Sequence, residues 1–163
     1  MQQVKSEPIE IDDKKSIVSM RLSNSDRLAV RSTASRLHIR ESELYRFAIC
    51  FLLRRLDKLH DDTYTGSDLL PLLLEFREEL DIHLKLNKQQ LFNIINSRNT
   101  ATEKFVPMLD IELLIMPEHA TRQRLSKMPD AVDYKDANTG KWLITYLNSK
   151  YNFLTPISEK LAE

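Results

Sequence analysis

The chain has 163 residues, enough for one ordinary domain or two small ones, with 24 basic and 24 acidic side chains that cancel to zero net charge. Its single cysteine, Cys50, excludes an intramolecular disulfide, and its longest unbroken apolar run, residues 47–53, is far short of the ~20 residues that span a bilayer. Residues 1–15 are polar and acidic rather than signal-like, so the expectation is a cytoplasmic protein with no membrane partner.

In chain order, residues 1–14 lack hydrophobic periodicity and contain Pro8 with several acids, which predicts a flexible arm. Over residues 16–23, Val18, Met20 and Leu22 alternate with Ile17, Ser19 and Arg21, the period of a half-buried strand. Ser23 is placed to cap a helix, with Asp26 at the capping-box position. That helix carries Val30, Thr33, Ala34 and Leu37 on one face. After a break at residues 37–40, a second helix from Glu41 carries Leu44, Phe47, Ala48, Phe51, Leu52 and Leu56. Ile49, Cys50 and Leu53 make it apolar nearly all round, a pattern that calls for burial on every side. A lone strand ahead of two helices leaves a row of backbone donors and acceptors unmet. The expected solution is pairing with the same strand of a second copy, giving a homodimer whose two-stranded ribbon fits the major groove of DNA.

Charge distribution points the same way. Residues 14–56 hold ten Lys or Arg against three acids, whereas residues 57–163 hold 13 basic against 17 acidic side chains. A basic N-terminal module on an acidic remainder is the asymmetry expected when one half meets an anionic partner.

Residues 61–66, ending in Gly66, read as a linker. The predicted organisation is therefore an arm (1–14), a DNA-binding and dimerisation domain (15–60), the linker (61–66) and a C-terminal domain (67–163). In the last, Ser67 is placed to cap a helix through Leu69, Leu70, Leu73, Leu74, Phe76 and Leu80, with Pro71 tolerated in its first turn. Asn87 marks a further helix start before Leu91, Ile94 and Ile95. Residues 109–115 alternate like a strand, residues 119–127 suit a short polar helix, and residues 142–147 fit either strand or helix after a turn at 138–141. The predicted fold class is mainly α: a ribbon-helix-helix (one strand, two helices, dimeric ribbon) followed by a mostly helical C-terminal domain with room for one or two short strands.

Residues 16–56 resemble the ribbon-helix-helix family of bacterial and plasmid DNA-binding proteins, which includes the Arc, methionine and CopG-type repressors. The resemblance lies in the Val18/Met20/Leu22 alternation, the Leu22-Ser23 junction, the spacing Val30, Thr33, Ala34, Leu37, and the entry to the second helix at residues 39–44. It implies that Ile17, Ser19 and Arg21 face bases and that Lys14, Lys15, Arg40 and Ser42 meet phosphates. It also implies a dimer core of Val18, Met20, Leu22, Val30, Ala34, Leu37, Leu44, Phe47, Ala48 and Phe51. Arg is able to donate two hydrogen bonds to guanine, and dyad symmetry implies a pseudo-palindromic operator. The chain departs from the family at His38, where glycine is usual, and at Arg40, where Ser or Thr usually caps the second helix.

The four histidines (His38, His60, His83, His119) show no ligand spacing, and no nucleophile elbow, phosphate loop or HExxH pattern is present. Neither a metal, a cofactor nor an enzyme is expected. Arg27, Arg31 and Arg36 read as a solvated helix face, and Asp110 with Glu112 as a solvated strand face. The sequence thus implies a homodimeric or higher-order transcriptional regulator, a repressor, that binds double-stranded DNA. The alternative is an interaction protein of a mobile element, a relaxosome accessory protein or antitoxin, whose C-terminal domain binds a protein partner.

Overall fold

The computed structural model describes residues 15–129 and 138–153, and the chain divides into two compact units, Met1–Cys50 and Phe51–Glu163. The predicted arm at residues 1–14, including Lys14, lies outside the described residues.

In the first unit an irregular segment, residues 15–23, leads into α1 (Asn24–Leu37) and then α2 (Glu41–Arg55), whose last turn is counted with the second unit. Ser23 Oγ accepts the Asp26 N–H at 3.1 Å, the expected N-cap of α1. The helix ends because His38 turns into the left-handed region (φ 56, ψ 36), the conformation a glycine would adopt there. Its histidine alternative is among the residues that reach this region most readily outside glycine. Arg40 supplies no cap oxygen. Instead its main-chain N–H donates to the Glu43 carboxylate at 2.8 Å, so an acid in the first turn of α2 meets the dipole from within the helix. Arg31 and Glu41 pair at 3.2 Å between the two helices.

The predicted β-ribbon requires correction. The described residues contain no strand, and residues 15–23 make no ladder hydrogen bonds. Alternation of Val18, Met20 and Leu22 sorts side chains by polarity. A strand also needs a neighbouring row of backbone donors and acceptors, and no segment of the chain provides one. The mainly α assignment stands.

The second unit continues with α3 (Asp57–His60), a 3₁₀ turn (Gly66–Leu69), α4 (Leu70–Glu75), α5 (Arg77–Glu79) and a π turn (Leu80–Leu84). Then follow α6 (Lys88–Asn96), a second 3₁₀ turn (Thr102–Lys104), α7 (Met108–Ile115), α8 (Glu118–Leu125) and α9 (Thr139–Tyr151). Its core is aliphatic, with Leu70, Leu91, Ile95, Val106, Ile111, Leu113, Leu125, Leu143 and Leu147 fully buried beside Trp142.

Three expectations for this unit change. Residues 109–115 form helix α7, not a strand. Asp110, Ile111, Leu113 and Leu114 are its buried positions, at helical spacing, and Pro107 stands at its N-cap, where a missing N–H costs nothing. The short strands allowed for the C-terminal domain are likewise absent among the described residues, and residues 142–147 lie inside α9, capped by Asn138. The helix expected from Ser67 to Leu80 starts instead with a capping box between Thr65 and Asp68, breaks at Phe76 and ends in the π turn. The break sets Arg77 against the end of α7, where its guanidinium donates to the Leu114 carbonyl at 2.9 Å and the Met116 carbonyl at 2.6 Å. Those carbonyls belong to a helix terminus and have no partner within the helix. Gly66 is required twice over: its φ is +59, and a Cβ there would stand 2.2 Å from the Lys104 carbonyl oxygen.

Candidate nucleic-acid interface

The site is built from the irregular segment and the two helices of the first unit. Lys15, Ile17, Ser19 and Arg21 are all exposed, with Ile17 at 98%. Arg21 does not stand alone. It shares an open groove of about 670 Å³ with Arg27 from the first turn of α1 and Arg46 from α2, beside Ser42 and Tyr45. None of the three arginines has an ion pair among the described residues, and all three are exposed. The groove floor is apolar, made by Val18, Met20, Leu22 and Ile49.

Of the residues expected to meet phosphate, Ser42 lies in this groove, whereas Arg40 is not among its lining residues. The Arg40 amide is already taken by Glu43. Sequence reasoning missed Arg46 and read Arg27 as a solvated face. The available signal was indirect: both are cations beside the apolar alternation and helix entry that the resemblance singled out.

The residues expected in a dimer core remain largely at the surface of the single chain. Val18 is 79% exposed, Met20 52% and Phe47 65%, and Leu22, Leu37, Ala48 and Phe51 are exposed as well. Val30 and Leu44 are half-buried, and Ala34 alone is buried. No residue of α2 is buried, although the helix carries apolar side chains on all its faces.

Polar groups in the second unit are already committed. Asp110, 1% exposed, accepts from Tyr146 Oη at 3.1 Å and from Tyr151 Oη, and pairs with Lys150 Nζ at 2.8 Å. Burial pushes the Tyr151 phenol far above its ordinary range, and its bond to Asp110 adds to this. Burial pulls the Lys150 ammonium down, but its bonds to Asp110 and Tyr146 outweigh that and hold it above its usual value. Arg55 is paired with Glu75 and stacked over the rings of Phe51 and Phe76, with centroids 5.6 and 5.4 Å away. A cleft of about 550 Å³ in this unit is rimmed by Glu75, Glu78, Glu79, Asp81 and Glu118. Such a rim repels a polyanion.

Among the described residues no group of His, Cys, Asp and Glu side chains is arranged to hold a metal ion, and no helix is long and apolar enough to cross a membrane. No protein-family model matches the chain, and neither a curated protein nor a solved structure matches it.

Proposed function

We propose that the chain is a sequence-specific, homodimeric DNA-binding regulator, acting as a repressor, with its DNA contact in the first unit. The observation that carries this reading is the convergence of Arg21, Arg27 and Arg46 in one exposed groove with no acidic partner among the described residues. Cations kept free of carboxylates are available to phosphate, and each phosphate neutralised releases condensed counterions. In this reading Ser19 and Arg21 read base edges, Ile17 is placed for a thymine methyl, and Lys15, Arg40 and Ser42 hold the backbone in register. The exposed apolar residues of α1 and α2 supply the self-association surface. Two copies related by a dyad then select a pseudo-palindromic site. The second unit, with its own core and an acidic rim, stays off the duplex and serves oligomerisation, an effector or a protein partner.

The test is Arg21→Ala on the full chain, assayed by fluorescence anisotropy on a duplex taken from sites found by genomic footprinting. Loss of a bidentate base contact weakens binding by about 10- to 100-fold, while sedimentation shows the same assembly as the parent protein. Binding as tight as the parent's overturns the assignment of readout to Arg21. Footprints confined to promoters support the repressor role, and footprints at a transfer origin replace it with the accessory one.

A further inference from the structure

The arginine groove is more apolar than a phosphate backbone requires. Val18, Met20, Leu22 and Ile49 lie between the guanidinium groups, and Tyr45 adds a ring. A ligand that satisfies this surface alternates negative charge with aliphatic side chains. Residues 7–13 of the same chain read Glu-Pro-Ile-Glu-Ile-Asp-Asp: four acids, with Ile9 and Ile11 two positions apart. In an extended backbone those two isoleucines lie on one side, with Glu10 on the other. Asp13 precedes Val18 by only five positions, so the segment is tethered beside the groove at an effective concentration of about millimolar. Fully extended, it reaches roughly 23 Å, enough to pass along three neighbouring cations.

We infer that residues 7–13 occupy the Arg21/Arg27/Arg46 groove in the DNA-free protein, their carboxylates on the guanidinium groups and Ile9 and Ile11 on the apolar floor, and compete with duplex DNA for the same cations. The inference rests on the reading of the first unit as a DNA-binding module. It makes the acidic segment a built-in competitor that raises the discrimination between a specific duplex and bulk DNA. Only a site offering base contacts as well as phosphate displaces it.

Two full-length variants test it. One neutralises the segment (Glu7→Gln, Glu10→Gln, Asp12→Asn, Asp13→Asn). The other, Ile9→Ser with Ile11→Ser, leaves the charge unchanged. Each is compared with the parent by NMR at the backbone and side-chain signals of Arg27, Tyr45 and Arg46 without DNA, and by affinity for a random-sequence duplex. The expected result is that those signals move in both variants and that both bind the duplex more tightly, the neutralised one by about tenfold at low salt. Signals that stay in place in both variants overturn the inference, whatever the duplex affinities. Signals that move while the isoleucine variant binds duplex like the parent overturn the competition, because a gain restricted to the neutralised variant is long-range charge alone. If the signals move and no form of the protein binds duplex, the groove contact stands and the DNA-binding reading falls.

Discussion

The two units use the same residue types to opposite ends. In the second, a buried aspartate is met by two tyrosines and a lysine, the Arg77 guanidinium closes the end of α7, and Glu112 holds Lys88 and Arg124 at 2.9 and 2.7 Å. In the first, three arginines have no ion pair among the described residues, and a 15-residue helix rich in Phe, Leu and Ile buries nothing. A unit that satisfies its polar groups and covers its apolar ones is complete in itself. A unit that leaves both in water is built for partners: an anion for the arginines and a second apolar surface for the helices.

The most severe way to break this contrast is to remove Asp110. Asp110→Ala leaves Tyr146, Tyr151 and Lys150 without their common acceptor, and the loss of one partner from a buried charged network costs about 3–5 kcal/mol. Trp142, the only tryptophan and part of the same core, reports that loss as a lower urea midpoint in fluorescence. In the first unit the corresponding change is Ala48→Asp, which places a charge on the exposed face of α2. It leaves the tryptophan midpoint where it was and raises the dimer dissociation constant about 100-fold, read by sedimentation equilibrium. If Ala48→Asp instead unfolds the second unit, the division of roles between the units is wrong.

Gly66→Ala tests whether the second unit is as closely fitted as its hydrogen bonds imply. A Cβ at φ +59, pressed on the Lys104 carbonyl, is expected to destabilise by about 2 kcal/mol. The smallest effect is electrostatic. Hydrogen bonds from Arg124 and Lys88 hold the Glu112 carboxyl below its ordinary value of 4.5. A depressed folded pKa contributes stability that is fully present above the unfolded value and lost as pH falls through the folded one. Stability therefore declines on the acid side of pH 4.5, and Glu112→Gln flattens that part of the profile, measured as urea midpoint against pH.

Local chemistry was legible wherever a single side chain decides a backbone event. Ser23 and Asn87 each present an oxygen to an amide three residues on, which needs no tertiary contact, and both cap helices. The turn after Leu37 was legible too, and His38 takes the left-handed conformation demanded there. Residues 109–115 were not, because Leu-Asp-Ile-Glu-Leu-Leu-Ile satisfies both a period of two and one of three to four. Asp110 looked like a solvated carboxylate for the same reason, since its partners lie 36 to 41 positions away. The arginine groove was legible only in part. Arg21 stood out from its neighbours in the alternating segment, but Arg27 and Arg46 join it through the packing of α1 and α2.

Taken alone, the sequence determined the two helices of the first unit, their caps and break, the basic charge of that region and the mainly helical character of the whole. These follow from interactions between residues a few positions apart. Tertiary structure decided that residues 15–23 remain without a strand, that residues 109–115 coil, and that three arginines face one groove while Asp110 faces none. Each of those outcomes depends on which distant group arrives as a neighbour. A backbone row, a tyrosine hydroxyl or a second guanidinium has to be supplied by another part of the chain, and periodicity carries no record of it.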